Sequence, residues 1–205
     1  IHYLGFPFSI SPTFQMRNTN STIEQSLEYV KEIRSICDTH NKETVIYISI
    51  AFGNPYSDAY NEEIVLEWIE KLVGEGIGII SLADTVGIAT PSQVASVTGK
   101  VIKAFPQTEV GVHLHSTTKN GKEKTEAALQ QGCWRFDGAL KGIGGCPMAK
   151  PTASDVRGET RSRWNVETSC GLPGDGINGV IEALRKRQDE IKFIQVRHEE
   201  AAAFN

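Results

Sequence analysis

The 205 residues contain no CxxC pair, no low-complexity tract and no apolar run near the ~20 residues that a membrane-spanning helix needs. No secretory leader is visible either. The four cysteines, Cys37, Cys133, Cys146 and Cys170, stand far apart. That spacing argues against a cysteine zinc site and against a disulfide framework, and points to reduced thiols in a cytosol-like compartment. Excess charge is missing too. A net charge of −4 gives no electrostatic reason to expect nucleic acid or a membrane surface as partner. The chain opens at Ile1 without an initiator methionine, so the expectation is a piece of something longer.

What is present is a rhythm. Strand-like segments ("HYLGFPFSIS", "ETVIYISIAFG", "GIGIISLADTVG", "TEVGVHLHST", "RFDGALKGIGG") alternate with helical ones. The first helix is expected from Ser21, with Glu24 completing a capping box and Ile23, Leu27, Val30 and Ile33 on one face. The second carries Ile64, Trp68, Ile69 and Leu72; the third opens on Thr90 and Pro91; the fourth stops at Gly132. A strand–helix repeat of this size implies a parallel sheet covered by helices. An open dinucleotide-binding sheet would show a glycine-rich turn after its first strand, and "GFPFSIS" is not one. A partial TIM (β/α)₈ barrel of five parallel strands fits better. Polar groups then gather at the strands' C-terminal ends: Asn18 and Asn20, Asn54, Asp84, two histidines and Cys146. Residues 1–150 form this site-bearing part. Residues 151–205 diverge: an irregular polar stretch, then "INGVIEALRKRQDEIKFIQV" as one amphipathic helix.

Three stretches could carry chemistry. In "GVHLHST", His113 and His115 are two apart, which on a strand puts both rings on one face, about 6.5–7 Å apart along the chain. Two imidazoles can begin a divalent-metal site, or they can be ordinary polar residues facing water. Asp84, in "SLADTVG", is either a loop-capping carboxylate or an acid–base group beside the metal. As a loop residue it is expected to be exposed and to add little to folding. Cys146 sits in "KGIGGCPMA", where glycines let the backbone approach a ligand, and it reads as a reactive thiol; Cys37 and Cys133 read as buried structural ones.

Together "SLADTVGIATP", "VGVHLHSTT" and "KGIGGCPMA" resemble the hydroxymethylglutaryl-CoA lyase family, within the metal-dependent DRE-TIM lyases and synthases. The resemblance covers about residues 1–150. It implies a metal-dependent carbon–carbon lyase that cleaves 3-hydroxy-3-methylglutaryl-CoA to acetyl-CoA and acetoacetate. By the same carry-over His113 and His115 would be ligands of Mg²⁺ or Mn²⁺, Asp84 the acidic residue beside the substrate, and Cys146 the thiol that helps protonate the product carbon. The family's Asn ligand after the cysteine loop corresponds by spacing to Asp155, with Glu159 following. Its Arg–Asp pair has no counterpart here, and its "HDT" reads "HST". A homo-oligomer, as a dimer, and an acyl-CoA substrate are the implied partners. The competing expectations are a catalytically silent barrel fragment and a related enzyme acting on another acyl-CoA or 2-oxo acid.

Overall fold

β-branched runs alternating with helical stripes give a parallel sheet backed by helices in the computed structural model, which describes residues 2–117, 120–137, 154–155, 168–171 and 192–195. β1 (Tyr3–Ser9), β2 (Glu43–Ser49), β3 (Ile79–Asp84), β4 (Glu109–Ser116) and β5 (Arg135–Asp137) pair in chain order, every pair parallel. A doubly wound sheet reverses its strand order at a switch point. Here the order never reverses, which is the arrangement of consecutive barrel strands. The strands also read as parallel strands should: β3 is buried at every position and β2 at all but its first.

The helices α1 (Pro12–Thr19), α2 (Ile23–Thr39), α3 (Glu62–Gly74), α4 (Pro91–Ala104) and α5 (Gly121–Gln130) connect these strands. Thr90 caps α4 with Pro91 behind it, as expected. The capping box of α2 is Thr22 with Gln25, one residue later than Ser21 with Glu24. The reason is local: the Ser21 hydroxyl is taken up by Gln15 Nε2 at 3.1 Å and Thr19 Oγ1 at 2.7 Å, while Thr22 has the extended backbone of a cap. α1 was not anticipated. It begins where Ser11 accepts from Phe14 N–H ahead of Pro12, and it ends on Asn20 in the left-handed conformation, φ +52°. Asn20 therefore terminates this helix.

The sheet has two distinct faces. Phe8, Ile46, Ile48, Ile80, Leu82, Val112 and Leu114 point to the helices and join one core with Val30, Ile69, Leu72, Val94 and Val101. Each fully buried aliphatic chain of this layer contributes roughly 1.5–3 kcal/mol. The alternate residues face the other way, where Val45, Tyr47 and Ile79 form a separate small cluster against Tyr3. Above that cluster this second face turns polar, with Ser81, His113 and His115. His113 and His115 are on the face the helices do not cover, whereas Asp84, alternating with Ile80 and Leu82, is on the helix side.

Two features lie beyond the five-stranded unit. β6 (Ser154–Asp155) runs antiparallel to the end of β4, and β7 (Thr168–Gly171) pairs in parallel with β8 (Lys192–Gln195) as a separate two-stranded sheet. β8 corrects the expected helix through residue 196: "KFIQ" is strand, its aromatic and β-branched residues suiting a pleated ladder. Among the described residues, no helix is long and apolar enough to cross a membrane.

Candidate active site

β4 carries the centre. The alternation that buries Val110, Val112 and Leu114 against the helices puts His113 and His115 on the opposite face. Their Nε2 atoms converge to 3.3 Å. Two nitrogens on neighbouring vertices of one metal ion, each bonded at about 2.1 Å, stand about 3.0–3.4 Å apart. The observed spacing suits a ligand pair, and it is equally that of a hydrogen bond between the two ring nitrogens. Tyr47 meets the His113 ring edge-on, with centroids 6.1 Å apart.

The orientation of His115 is built, not incidental. Its Nδ1 lies 2.7 Å from the Thr85 carbonyl oxygen. A carbonyl only accepts, so Nδ1 carries the proton and Nε2 of the neutral ring is left as an acceptor that faces His113 Nε2. Thr85 is fixed in turn: its hydroxyl oxygen accepts the Ile50 N–H at 2.9 Å. Ile50 holds φ +66°, a left-handed backbone that a β-branched residue rarely adopts, and Ala51 N–H continues to the Ala83 carbonyl at 3.1 Å. The end of β2 thus bends over to grip the loop that grips His115.

Asp84 departs from the exposed loop carboxylate that the sequence suggests. It is 1% exposed. Oδ1 accepts the backbone N–H groups of Ile88 and Ala89 at 2.9 and 3.2 Å. Oδ2 accepts from Lys124 Nζ at 2.6 Å, and Nζ also donates to the His115 carbonyl at 2.9 Å. Lys124 is itself fully buried. Both Asp84 oxygens are engaged, one in capping its own loop and one in a buried ion pair. Nothing in the sequence singles out Lys124, which stands in "GKEKTEAAL" among charges that look solvated; its signal is only its spacing with the small inward residues Thr125 and Ala128.

Other expected groups divide. Asp155 lies opposite His115 in the antiparallel β4–β6 register. Cys146 lies outside the described residues. Cys37 and Cys133 are buried free thiols, and burial pushes the Cys133 thiol up to about 12. Asn54 organises its own loop, its Oδ1 accepting from Tyr56 N–H and Asp58 N–H. The pattern also overlooked Asp137, in register with His113 at the end of β5 and accepting from the Ser81 hydroxyl at 3.1 Å. Among the described residues, no group of three or more His, Cys, Asp or Glu side chains could hold a metal ion. The histidine pair fits such an ion as part of a site, because its two Nε2 atoms converge on one face of β4.

The HMGL-like family model matches residues 6–150. A second model, described as the thiamine pyrophosphate enzyme N-terminal TPP binding domain, matches residues 152–205. A hydroxymethylglutaryl-CoA lyase of Bacillus subtilis is 34% identical over 151 residues, covering 74% of this chain and 50% of that protein. An (R)-citramalyl-CoA lyase of Chloroflexus aurantiacus is 40% identical over 114 residues, 56% of this chain and 36% of that protein. The crystal structure of the Bacillus subtilis HMG-CoA lyase superimposes with a TM-score of 0.72 at 29% identity, covering 94% of this chain and 58% of that one. The chain spans about half the length of the curated hydroxymethylglutaryl-CoA lyases it matches.

Proposed function

The chain belongs to the HMGL-like family, and from that membership we propose that it is the site-bearing part of a carbon–carbon lyase acting on a 3-hydroxyacyl-CoA, 3-hydroxy-3-methylglutaryl-CoA in the first instance. The observation that carries this reading is the convergence of His113 and His115 Nε2 to 3.3 Å on the helix-free face at the C-terminal end of β4. That end is where barrel enzymes build their sites.

His113 and His115 would hold a divalent cation, Mg²⁺ or Mn²⁺, with Asp155 as the oxygen ligand that the β4–β6 register brings opposite His115. A bound cation of this kind lowers the pKa of a coordinated hydroxyl and stabilises negative charge on oxygen. The protein's own part is geometric. Thr85 fixes the tautomer of His115, so its ligating lone pair is set before any ligand arrives. Asp84 holds the loop after β3 in place, since both its oxygens are occupied. In the cleavage the tertiary hydroxyl gives up its proton and becomes the acetoacetate carbonyl as the C–C bond breaks. The carbon released from that bond becomes the acetyl-CoA methyl group by taking up a proton, and Cys146 is the thiol proposed to hand it over. The proposal further treats residues 151–205 as a unit apart from this site, in line with the separate β7–β8 sheet.

The test is direct. The protein is incubated with Mn²⁺ or Mg²⁺ and 3-hydroxy-3-methylglutaryl-CoA, and acetyl-CoA and acetoacetate are followed by mass spectrometry. Metal-dependent release of both, abolished in His113→Ala and His115→Ala, is expected. The Chloroflexus relative favours a second substrate, (R)-citramalyl-CoA, which is assayed alongside through acetyl-CoA release. No product from either ester would overturn the lyase reading.

A further inference from the structure

We propose that Lys124 is a positioning residue of the histidine centre: its buried ammonium clasps the ends of β3 and β4 together and so presets the His115 ring. The inference rests on the reading of His113 and His115 as a cation-binding pair, but its mechanical part is independent of it.

The β3–β4 ladder ends at the Asp84–Leu114 pair. His115 and Thr85 lie just past that end, where no ladder pairing holds the two strands in register. Lys124 takes over there. Nζ donates to Asp84 Oδ2 on β3 at 2.6 Å and to the His115 carbonyl on β4 at 2.9 Å. The residue after Asp84 is Thr85, whose carbonyl receives the His115 Nδ1–H. One ammonium therefore fixes both partners of the hydrogen bond that sets the ring's tautomer. The helix that supplies Lys124 is seated to make the reach. A Cβ on Gly121 would stand 3.3 Å from Ser116 Cβ, so the first turn of α5 lies close against the end of β4. A fully buried lysine is retained only when it is paired and hydrogen-bonded, and this one is held by a carboxylate and a carbonyl of the two site-bearing strands. With Asp84 neutralising it, the clasp adds no net charge to oppose a divalent cation.

The experiment uses the 205-residue protein labelled with ¹⁵N at histidine, Lys124→Met, and the charge-neutral double variant Lys124→Met/Asp84→Asn, which removes the stranded carboxylate if the single variant does not fold. Two readouts are taken: the His115 ring tautomer from long-range ¹H–¹⁵N correlation without metal, and Mn²⁺ affinity from EPR of free Mn²⁺. In the native protein His115 should show a protonated Nδ1 and a bare Nε2. In a folded Lys124 variant that pattern should give way to exchange between tautomers, and Mn²⁺ binding should weaken about 10–100-fold, the usual loss when an outer partner of a ligating histidine is removed. A folded variant that keeps the native tautomer overturns the proposal, whatever happens to Mn²⁺. Native protein that binds no Mn²⁺, together with a tautomer lost in the variants, upholds the clasp and removes the metal reading instead.

Discussion

Replacing Asp84 by asparagine separates a surface carboxylate from a buried one by its effect on stability. An exposed loop aspartate would lose about 0–1 kcal/mol at most. The structure gives a different figure. The amide introduced by Asp84→Asn could keep an oxygen for the Ile88 and Ala89 N–H groups, so the loop cap largely survives. The contact with Lys124 does not, because an amide carries no charge, and Lys124 is 0% exposed with its partner at 1%. Removing one member of a buried pair leaves an uncompensated charge and costs about 3–5 kcal/mol. For a chain of this size, where each kcal/mol lowers the melting temperature by about 2–4 °C, that is a fall of about 6–20 °C. Urea unfolding of the native protein, Asp84→Asn, Lys124→Met and the double variant closes a thermodynamic cycle. The two single losses should be far from additive, because the second substitution removes the charge that the first one stranded. A loss under about 1 kcal/mol in Asp84→Asn, or additivity within about 0.5 kcal/mol, would show that the pair is not energetically coupled in solution.

Thiol labelling of the folded protein should spare Cys133, whose thiol is buried and pushed up to about 12, and should spare Cys37, while Cys146 reacts first; peptide mass spectrometry that finds Cys133 modified before unfolding would contradict this burial. Thr85→Val keeps the shape but leaves the buried Ile50 N–H without its acceptor, so urea unfolding should show a loss of about 1–3 kcal/mol, and a neutral result would mean water replaces the hydroxyl. Asp58 is opposed by its own burial, but hydrogen bonds from the Ser11 and Thr13 hydroxyls and the Thr13 N–H outweigh that and lower its pKa. Its contribution is therefore present above the ordinary carboxylate range and lost as pH falls through the lowered value, and Asp58→Asn should flatten the acid limb of a stability–pH curve measured by thermal melts. An unchanged acid limb would show that the hydrogen bonds from Ser11 and Thr13 at the start of α1 do not set the contribution of Asp58.

The histidine pair was legible because a strand has period two, and "VHLH" declares both the strand and the shared face. The consecutive parallel order followed from the strand–helix repeat, since parallel neighbours need a crossover and the helices supply it. Other elements were hidden for identifiable reasons. α1 has no apolar stripe: Phe14 and Gln15 are its buried residues, and only Ser11 before Pro12 marks its start. β8 was absorbed into a helical pattern because Ile191 and Ile194 continue the 3.6 period of Val180, Ile181 and Leu184, while "KFIQ" alone reads equally as a short apolar strand.

Lys124 was illegible for a deeper reason. Its partner carboxylate lies 40 residues earlier in the chain, and no local pattern distinguishes an inward lysine from a solvated one. What marks it is a conflict between levels. α5 turns a charged residue toward the sheet at a place where its periodicity asks for an apolar one, and its other inward positions are small. A well-packed apolar residue would often stabilise such a spot as much or more, so the pair is poorly explained by folding alone. Departures of this kind from local consistency are expected near functional sites. The displaced charge does not sit at random along the strand. It meets the main chain of His115, one of the two residues whose nitrogens converge. Had it bonded Val110 or Val112 lower in the same strand, the same energetics would hold with no bearing on the centre.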